Sequence, residues 1–147
     1  NISNFKNERL ILKMNLLNQI LILLFSLTGI IFGLILALIA PEELRAGKKY
    51  FLLLKKIIFI VIFFLINYYL YLAENYYGLI PFTILGIVLF IIEFMQIKPI
   101  YELSNYLIFV IPYFFVTNNK FHLLLATLIF LYGLPTGTLL RKTFKNV

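Results

Sequence analysis

Glu93 is the residue in this chain that most invites a chemical reading. It is one of six glutamates in a sequence without aspartate, and it sits at the end of a long uncharged run, Asn75–Ile92. A carboxylate at membrane depth is a candidate for proton coupling or cation binding, because an ionised group is costly there unless it has a task or a partner. Asn67 and Thr83, inside neighbouring apolar runs, could line a polar path beside it. The bland alternative is that Glu93 reaches the interface. It lies five residues before Lys98, which is about 7–8 Å of helix.

Other chemistry is thinly represented. His122 is the only histidine and cysteine is absent. One histidine without aspartate or cysteine gives no Ser–His–Asp triad, no HExxH zinc site and no thiolate nucleophile. Neither a Walker A pattern nor GxGxxG occurs. His122 follows Lys120 at the start of an apolar run and reads as an interfacial polar residue. The residues present point to no catalytic constellation, cofactor or metal. The positive balance, +7 with a sequence pI near 9.6, comes largely from loops and tails and so does not indicate nucleic-acid binding.

The elements that would position these residues follow from composition. Of 147 residues, 63% are hydrophobic and 13% charged, and mean hydropathy is +1.00. Soluble domains carry about 25% charged residues, so there is too little polar surface to cover a water-soluble globule. Five runs lack charge: Met14–Pro41, Ile57–Ala73, Asn75–Ile92, Leu103–Asn119 and Phe121–Leu140. A membrane helix needs roughly 17–25 mainly apolar residues, and these runs show none of the alternation of a membrane strand. The expected fold is all-α: a polytopic transmembrane bundle of about five helices, residues 14–140 forming one domain. The fourth and fifth helices read as short. Pro112 lies in the fourth run, and Pro135, between Gly133 and Gly137, would loosen the end of the fifth. A re-entrant hairpin made by these two is the alternative, leaving three full spans.

Residues 1–13 form a polar N-terminal extension, and Met14 heads the first run. This suggests initiation at Met14, with the extension not native, or a fragment of a longer protein. Residues 141–147 form a short basic tail.

The first run carries Ser26, Gly29, Gly33, Ala37 and Ala40 at spacings of three and four, which places all five on one helical face. Small residues let two helix backbones approach closely. The stripe would pack against another helix of the same chain or against a second copy.

Between the first two runs, residues 41–56 hold five basic and two acidic residues. Pro41–Ala46 reads as a short interfacial helical turn, with Glu42 and Glu43 near its N-terminus, and Gly47 closes it in a left-handed conformation. Lys55 and Lys56 would then begin the second membrane helix and snorkel outward. Arg45, Lys48, Lys49, Lys55 and Lys56 together form an anchor for anionic lipid headgroups, each contributing on the order of 1 kcal/mol. In a five-helix topology this loop, the third loop and the C-terminal tail share one side and carry nine basic residues, against four on the other. Short basic loops stay cytoplasmic, so the C-terminus is placed inside and the N-terminus outside. Tyr68, Tyr69, Tyr71, Tyr76 and Tyr77 cluster at the second loop, as an outer interfacial belt would.

The functional expectation is a small, non-catalytic integral membrane protein, an accessory or structural subunit of a membrane assembly. The lipid bilayer with its anionic headgroups, and a homo-oligomeric copy or another membrane subunit, are the expected partners. The alternative is a small homo-oligomeric transporter or channel with Glu93 as its coupling carboxylate.

Overall fold

In a computed structural model, the backbone is described for residues 2–40, 42–95 and 101–144. Side chains are described for 15–40, 42, 46–92, 94–95 and 105–140. Those residues form five α-helices: α1 Ile2–Ile39, α2 Glu43–Leu72, α3 Tyr76–Phe94, α4 Tyr101–Phe115 and α5 Asn119–Phe144. Among the described residues there is no strand. Three segments are long and apolar enough to cross a membrane: Asn15–Ile39, Ala46–Leu72 and Asn119–Leu140. The apolar parts of α3 and α4 are shorter.

Side-chain contacts fix the directions. Gln19 meets His122 and Gly33 meets Gly137, so α1 and α5 run parallel. Tyr69 stacks near Phe121 while Lys55 lies over Tyr132, so α2 opposes α5. Asn67 meets Thr83 while Phe59 meets Phe90, so α3 opposes α2. Tyr113 touches His122 while Phe109 touches Tyr132, so α4 opposes α5. The α2–α3 and α4–α5 turns therefore share one end of the bundle, and the α1–α2 connection lies at the other.

The central element is α5, which packs against α1, α2 and α4. Its Phe121, Leu125, Ile129 and Tyr132 are buried at spacings of four, four and three, the inner face of a helix. They meet Phe59, Ile62, Ile66 and Leu70 of α2 and Phe109 and Tyr113 of α4. The outward faces of α1 and α2 stay apolar and uncovered, for example Leu24, Phe25, Ile39, Phe64 and Tyr68. That inverted surface suits lipid, in which the backbone bonds of a helix are satisfied internally.

Two local expectations change. First, α2 begins at Glu43 and passes straight through Gly47, which has no positive φ, so the expected turn and second helix are one element. The flanking Leu, Arg, Ala and Lys favour helix strongly enough to absorb the roughly 1 kcal/mol cost of an interior glycine. Lys55 is consequently three turns into α2 rather than at its start. Second, α5 is not short: 26 residues give about 39 Å of helix, continuous through Pro135 and lying along α1. By contrast α4, at 15 residues or about 22 Å, and the apolar part of α3 are shorter than a bilayer core. Helix also extends on the N-terminal side of Met14, since α1 is unbroken from Ile2.

Candidate functional site

The best-organised feature of the interior is the seam between α1 and α5. A Cβ placed on Gly29 would collide with the Phe130 carbonyl, and one on Gly33 with the Leu134 carbonyl. The converse holds: a Cβ on Gly133 would lie 2.7 Å from the Gly29 carbonyl carbon, and one on Gly137 would strike the Ile30 carbonyl. Two GxxxG stretches thus interlock backbone to backbone. Ala37 continues the buried stripe and Ala40, just past α1, is half-buried. Ser26 is buried, its hydroxyl donating to the Leu23 carbonyl of its own helix at 2.6 Å. Gly29 and Gly33 therefore meet their partner within the same chain, on α5. Sequence reasoning missed that partner. The signal was present in Gly133–Gly137, at the same spacing of four as Gly29–Gly33, but Pro135 between them reads as a kink.

His122 departs from its expected interfacial place. It is 3% exposed and bound from two sides. Its Nε2 lies 2.9 Å from the Tyr113 carbonyl, which can only accept, so Nε2 carries a proton. Nδ1 then accepts a long contact, 3.5 Å, from the Gln19 amide. The Tyr113 hydroxyl closes the circuit by donating to the Gln19 carbonyl at 3.0 Å. Three residues on α1, α4 and α5 are joined in a ring, with the Tyr113 and His122 rings 4.6 Å apart.

Asn67, expected to line a polar path, sits on the α2–α3 seam. Its Nδ2 donates to the Phe63 carbonyl at 2.9 Å, and the Thr83 hydroxyl lies 2.7 Å from both Asn67 Oδ1 and the Leu79 carbonyl. Glu93 belongs to α3, but its side chain is outside the described residues, as are those of Arg45, Arg141 and Lys142. Lys98 lies outside the described backbone.

The lysine cluster divides. Lys48 and Lys49 are exposed, and with Ala46, Tyr50 and Lys56 they line an open cavity of about 560 Å³. The Lys56 ammonium rests 4.3 Å from the centre of the Phe94 ring. Lys55 instead turns inward and is 3% exposed, its ammonium 5.9 Å from the centre of the Tyr132 ring. The Tyr132 hydroxyl accepts from buried Asn105 at 2.9 Å. Three helices thus contribute polar groups to one interior cluster, which periodicity alone did not reveal.

Among the described residues, no three of His, Cys, Asp and Glu are grouped as a metal site would require. No known protein family, curated protein or solved structure matches the chain.

Proposed function

We propose that this chain is a small, non-catalytic helical subunit of a membrane assembly, with its N-terminus outside and its C-terminus in the cytoplasm. One observation carries the reading: the larger interior polar side chains that meet across helices are engaged in joining them. Gln19, His122 and Tyr113 link α1, α4 and α5, Asn67 and Thr83 link α2 to α3, and Asn105 and Tyr132 link α4 to α5. A transport path would turn such groups toward a water-filled space instead. The basic patch of Lys48, Lys49 and Lys56 supports the orientation by attraction to an anionic cytoplasmic leaflet.

The test is cross-linking in native membranes followed by purification in mild detergent. The expected product is a complex of fixed stoichiometry with a second membrane polypeptide. A homo-oligomer that moves ions or protons in vesicles, and loses that activity in Glu93→Gln, would replace this reading with a transport one.

A further inference from the structure

We propose that α2 holds the headgroup of one anionic phospholipid between Lys49 and Lys56, over the end of α3, with an acyl chain running down the exposed face of α2. This site deepens the role of the basic patch, replacing a diffuse attraction by two ligating ammonium groups, and it rests on immersion of the bundle in a membrane.

Lys49 and Lys56 are seven residues apart on α2, two turns less about 20°, so they stand nearly in line on one face, about 10 Å apart along the axis. Leu52 and Leu53 flank that line and share the open recess with the two lysines. A phosphate over the two leucines would lie about 5 Å along the axis from either lysine, within reach of its four-carbon stem. Lys56 is already held from one side: its ammonium is 4.3 Å from the ring centre of Phe94, the last residue of α3. The ring takes one side of the ammonium and leaves its other N–H donors for an anion. Lys49 is exposed. Lys48 stands about 100° round the helix from Lys49, and Lys55 turns inward onto Tyr132, so neither joins the pair.

Charge and surface together select the occupant. Among the described residues, three lysines and no carboxylate line the recess; exposed Glu42 lies seven residues before Lys49, about 10 Å toward the start of α2. The recess therefore favours an anion, and a basic patch at a membrane end suits a lipid phosphate. A free phosphate would gain nothing from the surface beside it. There Leu53, Ile57, Val61 and Phe64 are exposed at spacings of four, four and three, an apolar stripe about 16 Å long on one face of α2. It starts beside the lysine pair and covers the depth of one leaflet, half of a core about 30 Å thick. A phospholipid of net negative charge matches both parts, its phosphate at Lys49 and Lys56 and one chain along the stripe. A zwitterionic lipid would instead bring its own cation into a recess that already holds three.

The protein has no tryptophan, so a single introduced one is a clean reporter. Ile57→Trp and Val61→Trp report from the stripe, and Leu107→Trp reports from an exposed position on α4. Each variant is reconstituted in vesicles of phosphatidylcholine and phosphatidylglycerol, with one or the other brominated on its acyl chains. The ratio of the two quenching curves gives the local preference for the anionic lipid. The expected preference is several-fold at both stripe positions and near one at Leu107→Trp. Adding Lys49→Gln or Lys56→Gln should bring the stripe preference close to one, while Lys48→Gln should leave most of it and Lys56→Arg should retain it. Equal preference at all three reporters, or equal loss in the three lysine-to-glutamine variants, would mean a diffuse anchor and overturn the site. Loss of the preference in inorganic phosphate at constant ionic strength would assign the recess to free phosphate and overturn the lipid. If neither brominated lipid quenches any reporter, immersion in the membrane fails, and the site fails with it. Two stripe reporters keep the result readable should one variant misfold.

Discussion

A methyl group on Gly33 would lie 3.0 Å from the Cα of Gly137, and a methyl group on Gly137 would lie 3.0 Å from the Cα of Gly33. The two backbones occupy each other's side-chain space. In lipid, where there is little hydrophobic drive between helices, such contact supplies the dispersion that holds α1 to α5.

Replacing either glycine should therefore separate the helices. Gly33→Leu and Gly137→Leu are each expected to lower thermal stability by at least about 1–3 kcal/mol, the usual cost of overpacking. Ile31→Leu, at an exposed position on α1, should change little. Thermal unfolding with size-exclusion chromatography checks this. Because the seam is internal, oligomer size should stay constant; a dimer turning into a folded monomer would place the seam between chains instead.

The ring of Gln19, His122 and Tyr113 should behave as a unit. Tyr113→Phe removes one hydrogen bond and should cost about 1 kcal/mol; His122→Ala also strands the Tyr113 carbonyl and should cost about 1–3 kcal/mol. In a double-mutant cycle the two losses should fall short of adding. Simple additivity would show that the ring is not coupled.

Glu74 closes the α2–α3 turn with φ of 53°, the left-handed region that favours glycine. Glu74→Gly should raise stability by up to about 1 kcal/mol, read as a higher unfolding midpoint. An unchanged or lower midpoint would mean that the glutamate side chain offsets its backbone strain.

Cysteine labelling tests the topology without background, because the chain has no native cysteine. Asn75 and Asn118 lie at one end of the bundle and Ala46 at the other. Cysteines at Asn75 and Asn118 should react with an impermeant reagent in intact cells, and one at Ala46 should not. Labelling of Ala46 from outside would reverse the proposed orientation.

Lysine reactivity separates an outward cluster from an inward residue. In the folded protein, amine reagents should modify Lys48 and Lys49 readily, and Lys55 only on unfolding, as peptide mass mapping would show. Equal rates at all three would contradict the burial of Lys55.

By itself, the sequence determined the class and the element order. Long uncharged runs without alternation leave helix as the only way to satisfy backbone groups in lipid, so five helices could be read from Met14 to Leu140. The small-residue face of α1 was equally legible, because a spacing of three and four is a local property of one helix. The partner of that face was not, since any of four helices or a second copy could have met it. Only the packed bundle joined Gly33 to Gly137, 104 positions away. The same holds for His122 and Lys55. A polar residue near the end of an apolar run looks interfacial on sequence grounds, and its rotation about the helix axis decides whether it meets headgroups or neighbours. Rotation is set by packing across helices: Gln19 and Tyr113 hold His122 inside, while adjacent Lys55 and Lys56, about 100° apart on α2, point to different surroundings.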